Sequence, residues 1–311
     1  MRGLVANESM KIYNRKLTWI LLLLLVAITI GASVMGKINS TNTENWRAET
    51  TPLVQLYEER SKITETPRTA RIDNENKLNI AKYRLENDIP TPPANPWSVL
   101  LTTAGLIEMV IIFTIVIAAD VVAGEYTAGT MKLLLIRPHS RTKILFSKYI
   151  AASLFAVVML ALLLVCGYVT NALLYGFGDI HITDLFLNRQ GQIVQQNVVV
   201  QVIKMYGLSI IPILSYVAIA IAISTVLRNS ALAVGISMFI MIVGNSMIDA
   251  TSKFEWLKYL PFANSDISLY IFHIPARPEM TVGFSISVLL VYISAFSLIS
   301  WIVFKKSDVS I

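Results

Sequence analysis

Long apolar runs without Asp, Glu, Lys or Arg dominate the pattern of hydrophobic and polar positions along the chain. Five such runs are free of charge, and a sixth run, residues 98–119, holds a single charged residue, Glu108. About 20 helical residues cross the ~30 Å hydrocarbon core of a bilayer, because each residue adds about 1.5 Å. The pattern therefore predicts an all-α polytopic membrane protein with six transmembrane helices. The five charge-free runs are 19 to 27 residues long and occupy residues 17–36, 149–175, 205–227, 230–248 and 281–304.

The composition supports this class and excludes several others. Of the 311 residues, 55% are hydrophobic and 15% are charged, whereas a soluble domain carries about 25% charged residues. A soluble enzyme, a secreted disulfide scaffold and a β-barrel are excluded. Cys166 is the only cysteine, so no disulfide forms within the chain. We expect a bacterial plasma membrane, because no organelle signal is visible.

The basic residues predict how the spans are oriented. Twelve Lys and Arg residues lie on the side of both termini, and five lie on the other side when the 61-residue loop 37–97 is left out. Cytoplasmic loops carry the excess of Lys and Arg, and long loops translocate regardless of charge. Both termini are therefore predicted to be cytoplasmic. The net charge of +6 follows from this orientation, and we expect no nucleic-acid partner.

The segments outside the spans divide into five predicted units. Residues 1–16 form a basic, amphipathic interface helix, and residues 37–97 form an extracellular helical insert that Pro67 breaks into two helices. In chain order, the spans are 17–36, 98–122, 146–175, 200–227, 230–248 and 281–304; the remaining units are a short amphipathic cytoplasmic helix over 123–138, extracellular re-entrant or interfacial helices over 249–280, and a cytoplasmic tail over 305–311.

Motifs for catalysis are missing from the sequence. It contains no H-E-x-x-H and no G-x-S-x-G, and its three histidines are far apart. Residues 31–37 match the start of a phosphate-binding loop, but Ile38 stands where Ser or Thr must hold magnesium. We therefore expect a non-catalytic chain that does not itself hydrolyse nucleotide and has no cofactor of its own.

The segment between the predicted second and third spans has the most distinctive order of residues. This order resembles the pattern of the type-2 ABC exporter permeases, which also have an N-terminal interface helix, six spans, an external insert and a basic tail. The resemblance covers most of the chain. The residues that carry it are Glu125, Tyr126, Gly129, Thr130, Pro138, Ser140, Arg141 and Lys148.

The resemblance implies that residues 123–138 form a coupling helix for a separate ABC ATP-binding subunit. Glu125 would meet polar groups of that subunit and Gly129 would permit close approach. Arg141 and Lys148 would brace the helix against lipid headgroups, or act as plain positive-inside anchors. Two ATPase copies would bind ATP and Mg²⁺, and a second permease chain, identical or different, would complete the complex. The apolar spans favour an amphipathic or hydrophobic cargo such as a peptide antibiotic, a lipid or a drug.

Three polar residues lie within or near the ends of predicted spans. A charge in a span is costly and marks a functional site by default, so Glu108 belongs either to a translocation path or to a helix interface. Asn171 and Asn245 have the same two interpretations. The alternative function is a membrane-anchored sensor or immunity protein that binds a ligand through its extracellular loop without transport.

Overall fold

The residues that the structure describes are about 80% helical and fold into a bundle of long helices. A computed structural model describes residues 1–38, 45–63, 67–131, 139–188, 190–247, 254–274, 277 and 279–306. The α-helices are α1 (Arg2–Tyr13), α2 (Lys16–Ile38), α3 (Trp46–Lys62), α4 (Arg68–Glu86), α5 (Pro96–Thr102), α6 (Ile107–Thr127), α7 (Arg141–Tyr175), α8 (Val198–Leu227), α9 (Ser230–Ser246), α10 (Ser268–Ile271) and α11 (Val282–Lys306).

Five helical stretches are long and apolar enough to cross a membrane among the described residues: α2, α5–α6, α7, α8 and α11. A 3₁₀ turn, Thr103–Leu106, joins α5 to α6. The predicted α-helical membrane class is thereby confirmed. The sixth span stays a prediction, because α9 has 17 residues and measures about 26 Å.

Helix α8 lies at the centre of the bundle and packs against α6, α7, α9 and α11. One hydroxyl fixes α6 to α8 near the end of both helices. The Ser224 Oγ accepts the amide hydrogen of Ala123 at 2.8 Å and donates to the carbonyl oxygen of Ala119 at 2.5 Å. This serine is fully buried, so the two bonds satisfy a polar group that apolar surroundings would otherwise penalise.

The end of α6 differs from the predicted boundary at residue 122. The helix continues to Thr127 and ends because Gly129 adopts a left-handed conformation, with φ +69°. The amide of Thr130 then donates to the carbonyl of Glu125 at 3.0 Å, which is the bonding of a glycine-terminated helix. Residues 123–127 are thus the last turn of α6. The rest of the predicted coupling helix, residues 132–138, lies outside the described residues.

Two polar side chains cap the starts of α7 and α9. Ser140 accepts the amide hydrogen of Lys143 and α7 begins at Arg141, earlier than the predicted start of the third span at residue 146. Only Arg228 and Asn229 join α8 to α9. Arg228 is left-handed, with φ 53°, and the Asn229 side chain accepts the amide hydrogen of Leu232 at 3.0 Å.

The opposite end of the bundle carries helices and a β-hairpin that lie outside the predicted spans. Helices α3 and α4 pack together, and α3 begins before Pro52, which lies inside it. An antiparallel hairpin, β1 (Thr183–Leu187) and β2 (Ile193–Asn197), stands where no strand was predicted. Within residues 254–274, two 3₁₀ helices, Glu255–Tyr259 and Phe262–Asn264, precede α10.

Candidate functional site

The N-terminal helix α1 is docked onto the bundle through a face that contains both apolar and charged residues. Ile12 and Glu8 are buried on this face, and α1 packs against α7. Two positions four residues apart share one side of a helix, so Ile12 supplies apolar contact beside the Glu8 carboxylate. The burial of a carboxylate requires charged or hydrogen-bonding partners.

Those partners form what we call the four-charge cluster: Glu8, Lys11, Glu125 and Lys148. The Lys148 ammonium lies 2.7 Å from Glu8 Oε2 and 3.5 Å from Glu125 Oε1, and it also donates to the carbonyl of Val121 at 2.9 Å. The Lys11 ammonium bonds Glu125 Oε1 at 2.6 Å and Glu8 Oε1 at 3.0 Å. The cluster therefore connects α1, the last turn of α6 and α7.

The charges of the cluster balance, which explains how they can be buried. Two carboxylates face two ammonium groups, and Lys148 is completely inaccessible to solvent. The Thr130 hydroxyl donates to the second oxygen of Glu125. Removing one partner from a buried ion pair costs about 3–5 kcal/mol because the remaining charge stays desolvated. The cluster is consequently a strong constraint on the position of α1.

This geometry corrects two expectations from the sequence. Glu125 is buried against its own chain, so its carboxylate is not displayed for a partner. Lys148 is buried between Glu8 and Glu125 and does not reach lipid headgroups. The physical reason is the same for both residues, because each pairs with an opposite charge on α1 and with the other residue of the two.

The protonation of Lys11 is coupled to the cluster. Burial by itself lowers the pKa of this ammonium, but the hydrogen bond to Glu125 and the charge of Glu8 outweigh that effect. The pKa is raised from its ordinary value of 10.5. Lys11 is therefore charged at neutral pH, as the balance of the cluster requires.

A second ion pair lies beside the cluster. The Arg15 guanidinium bonds the Asp120 carboxylate, and the Ser230 hydroxyl donates to the other oxygen of that carboxylate. Both charged side chains keep a quarter or more of their surface in solvent, 31% for Arg15 and 25% for Asp120. The pair links the α1–α2 junction to α6, and Ser230 extends the contact to α9.

The other predicted coupling residues surround this end of the bundle. Tyr126 lies under the Arg228 guanidinium, 5.2 Å from ring centroid to Cζ. Gly129 is exposed at the tip of the turn after α6. Arg141 donates to the carbonyl of Lys305 at 3.0 Å, which joins α7 to the end of α11. Pro138 lies outside the described residues.

The three polar residues assigned to a path or a helix interface lie on three different helices. Asn171 is fully buried in α7, and its amide has no hydrogen-bond partner within the described parts of the chain. Glu108 is exposed near the start of α6, beside a cavity described below. Asn245 lies near the end of α9.

Sequence reasoning missed Glu8, which is central to the cluster. One signal was available, because Glu8 is the single acidic residue among the first 16 and lies three residues before Lys11. Its partner Lys148 is 140 positions away, and no local pattern links the two. The ion pair could be found only after the helices were placed.

Comparison with known proteins identifies relatives along the whole chain. The chain is 32% identical over 315 residues to "Uncharacterized protein YhcI" of Bacillus subtilis (strain 168), with all of both chains covered. It is 31% identical over 201 residues to "Uncharacterized membrane protein YdbK" of the same organism, covering 64% of this chain and 77% of that protein. The family model "Protein of unknown function (DUF2705)" matches residues 71–310. This multi-pass membrane protein therefore belongs to the DUF2705 family.

Proposed function

We propose that the chain is the membrane-spanning permease subunit of an ATP-driven exporter of the type-2 ABC class. In this proposal, the end with the four-charge cluster is cytoplasmic, and α9 completes a set of six spans. Two copies of a separate ATP-binding subunit bind the chain together with a second permease chain. The observation that carries the proposal is the attachment of α1, α6 and α7 to one another at the point where α6 ends.

The attachment suits a device that transmits movement. Ala128 and Gly129 form an exposed tip directly after the turn of α6 that contains Glu125. A displacement of this tip would be passed to α1 and α7 through the Glu125 carboxylate. Packed helices move as rigid elements past one another. The ATPase would thus act on the exposed tip, and the buried cluster would distribute the movement.

A pull-down from the native membrane tests the proposal. The tagged chain should co-elute with an ATP-binding subunit that hydrolyses ATP. The substitution Ala128→Arg places a bulky charge on the exposed tip without touching the cluster, and it should abolish both co-elution and hydrolysis. His181→Arg, which is exposed at the opposite end of the bundle, is the matched control and should retain both.

Two results would contradict the proposal. The chain could elute without any ATP-binding subunit under gentle detergent, or the Ala128→Arg variant could retain the subunit and its hydrolysis at the level of the His181→Arg variant. Size-exclusion chromatography of each variant ensures that the comparison is made between folded proteins.

A second candidate function is ligand sensing without transport, and the outer helices favour it. Helix α4 is tied to the hairpin because Arg84 pairs with Asp184, and to the 254–274 segment because Asn76 donates to the carbonyl of Phe272 at 3.2 Å. A cavity of about 350 Å³ lies between these elements. Under this proposal, deletion of residues 46–86 would abolish the response of the cell to the ligand, while Ala128→Arg would leave it intact.

A further inference from the structure

A cavity of about 60 Å³ lies between α6, α8, α9 and the start of α10. We call it the acidic cavity, because both charged residues in its described lining, Glu108 and Asp266, are carboxylates. The volume holds a few water molecules or one small polar group.

The hydroxyls of the lining present acceptors to the cavity. Ser209 donates its proton to the carbonyl of Met205 at 2.6 Å, Ser265 donates to the carbonyl of Phe262 at 2.9 Å, and Ser268 donates to Asp266 at 2.5 Å. A hydroxyl has one hydrogen to donate and two lone pairs. These three serines therefore retain only acceptor capacity towards a ligand.

Tyr216 adds an independent indication of a ligand. Its side chain is 1% exposed and lines the cavity. Its buried hydroxyl has no hydrogen bond of good geometry within the described parts of the chain. Buried hydroxyls nearly always have a partner in native proteins. A ligand in the cavity would supply it.

A mainly apolar groove, whose lining also includes the Asp73–Lys77 ion pair, continues from the acidic cavity. The two share Ala104, Gly105 and Ser268, and the groove has a volume of about 460 Å³. Leu101, Leu269, Phe272 and Ile274 contribute its apolar surface. A ligand that fills both spaces has a polar head with hydrogen-bond donors and an apolar tail.

We propose that the acidic cavity binds the primary ammonium group of an amphipathic molecule, whose apolar part lies in the adjoining groove. An ammonium group has three donors and a positive charge, which match the serine oxygens and the two carboxylates. A quaternary ammonium is larger and has no donor. The ammonium can belong to an exported amphiphile or to an ethanolamine lipid headgroup. Its identification as cargo rests on the proposed function, whereas the binding does not.

Calorimetric titration tests the assignment on the full chain in phosphatidylcholine nanodiscs, with empty nanodiscs subtracted. n-Octylammonium should bind saturably, at least tenfold more tightly than octyltrimethylammonium or octanol, because charge-assisted hydrogen bonds are the strong ones. Glu108→Gln and Asp266→Asn should each weaken binding about tenfold or more. Glu255→Gln is the control, because this carboxylate is 71% exposed and pairs with Lys258 outside the cavity.

Non-saturable heat equal to that of empty nanodiscs would overturn the assignment, and so would equal affinity for the three probes. The probe comparison uses the unaltered chain, so it decides the matter even where a variant fails to fold. Added phosphatidylethanolamine identifies the source: competition with octylammonium indicates a lipid headgroup, and undiminished binding indicates a separate amphiphile. The assay contains no ATPase, so it is independent of the pull-down. If the chain binds ammonium but captures no ATP-binding subunit, the proposed binding site stands and the proposed exporter function is contradicted.

Discussion

The two ends of the bundle treat carboxylates in opposite ways. In the four-charge cluster, Glu8 and Glu125 are buried between Lys11 and Lys148, and every charge has a counter-charge in the chain. In the acidic cavity, two carboxylates share one space with hydroxyl oxygens. Opposite charges in contact stabilise the position of a helix, whereas like charges at a cavity attract a cation. The same residue type thus supports architecture at one end and recognition at the other.

The strongest way to break this contrast is to remove the central cation of the cluster. Lys148→Met should reduce the free energy of unfolding by about 3–5 kcal/mol, because Glu8 and Glu125 remain buried with one fewer counter-charge. Scanning fluorimetry in detergent measures the change. Lys143→Met, an exposed position on the first turn of α7, is the control and should have little effect. Equal unfolding temperatures for the two variants would show that the cluster is not a constraint.

Replacing a carboxylate by an amide should change the free energy of unfolding in different directions at the two ends of the bundle. Glu125→Gln should cost about 2 kcal/mol, since hydrogen bonds to charged groups contribute about that much. Asp266→Asn should leave stability unchanged or raise it by up to about 1 kcal/mol, because it removes a like charge beside Glu108. The Asn oxygen can still accept from Ser268. An equal loss of stability in both variants would contradict the distinction between the four-charge cluster and the acidic cavity.

The partly exposed pair beside the cluster should contribute less. Arg15→Gln and Asp120→Asn should each cost about 1 kcal/mol, because solvent screens a pair with this exposure. The double variant should cost less than the sum of the single variants if the two side chains interact directly. Strict additivity in the same unfolding assay would count against the ion pair.

The smallest effect concerns pH and Lys11. The pKa of Lys11 is raised in the folded protein, so its stabilising contribution is fully present below the unfolded value near 10.5 and is lost as pH rises through the folded value. The difference in unfolding temperature between the unaltered chain and Lys11→Met should therefore be constant from pH 7 to about pH 9 and shrink above about pH 10.5. A difference that grows with alkalinity would contradict this linkage.

The sequence predicts the long helices well, because uninterrupted apolar runs have the length that a bilayer requires. Helix α6 continues past the predicted end of the second span at residue 122, because the backbone stays helical to Thr127 before the turn at Gly129. The hairpin was missed because its strands have five residues each and no regular alternation of apolar and polar positions.

The candidate site was less predictable than the fold. Glu125 and Lys148 were singled out from the order of residues in one segment, but their partners depend on how α1 packs against α7. Glu108 stood out as a charge in a span, whereas Asp266 lies 158 positions further on and reaches the same cavity only through the fold of residues 254–274. Contacts of this range need three-dimensional information.

The two-residue link between α8 and α9 has a consequence for how the protein is made. A link this short holds the facing ends of the two helices together, so neither helix can insert into the bilayer independently of the other. In the proposed six-span arrangement, we expect α8 and α9 to leave the translocon as one helical hairpin, because α9 has 17 residues beside the 30 of α8 and is too short to insert well alone. The turn at Arg228 and Asn229 thereby belongs to the biogenesis of the protein as much as to its finished fold.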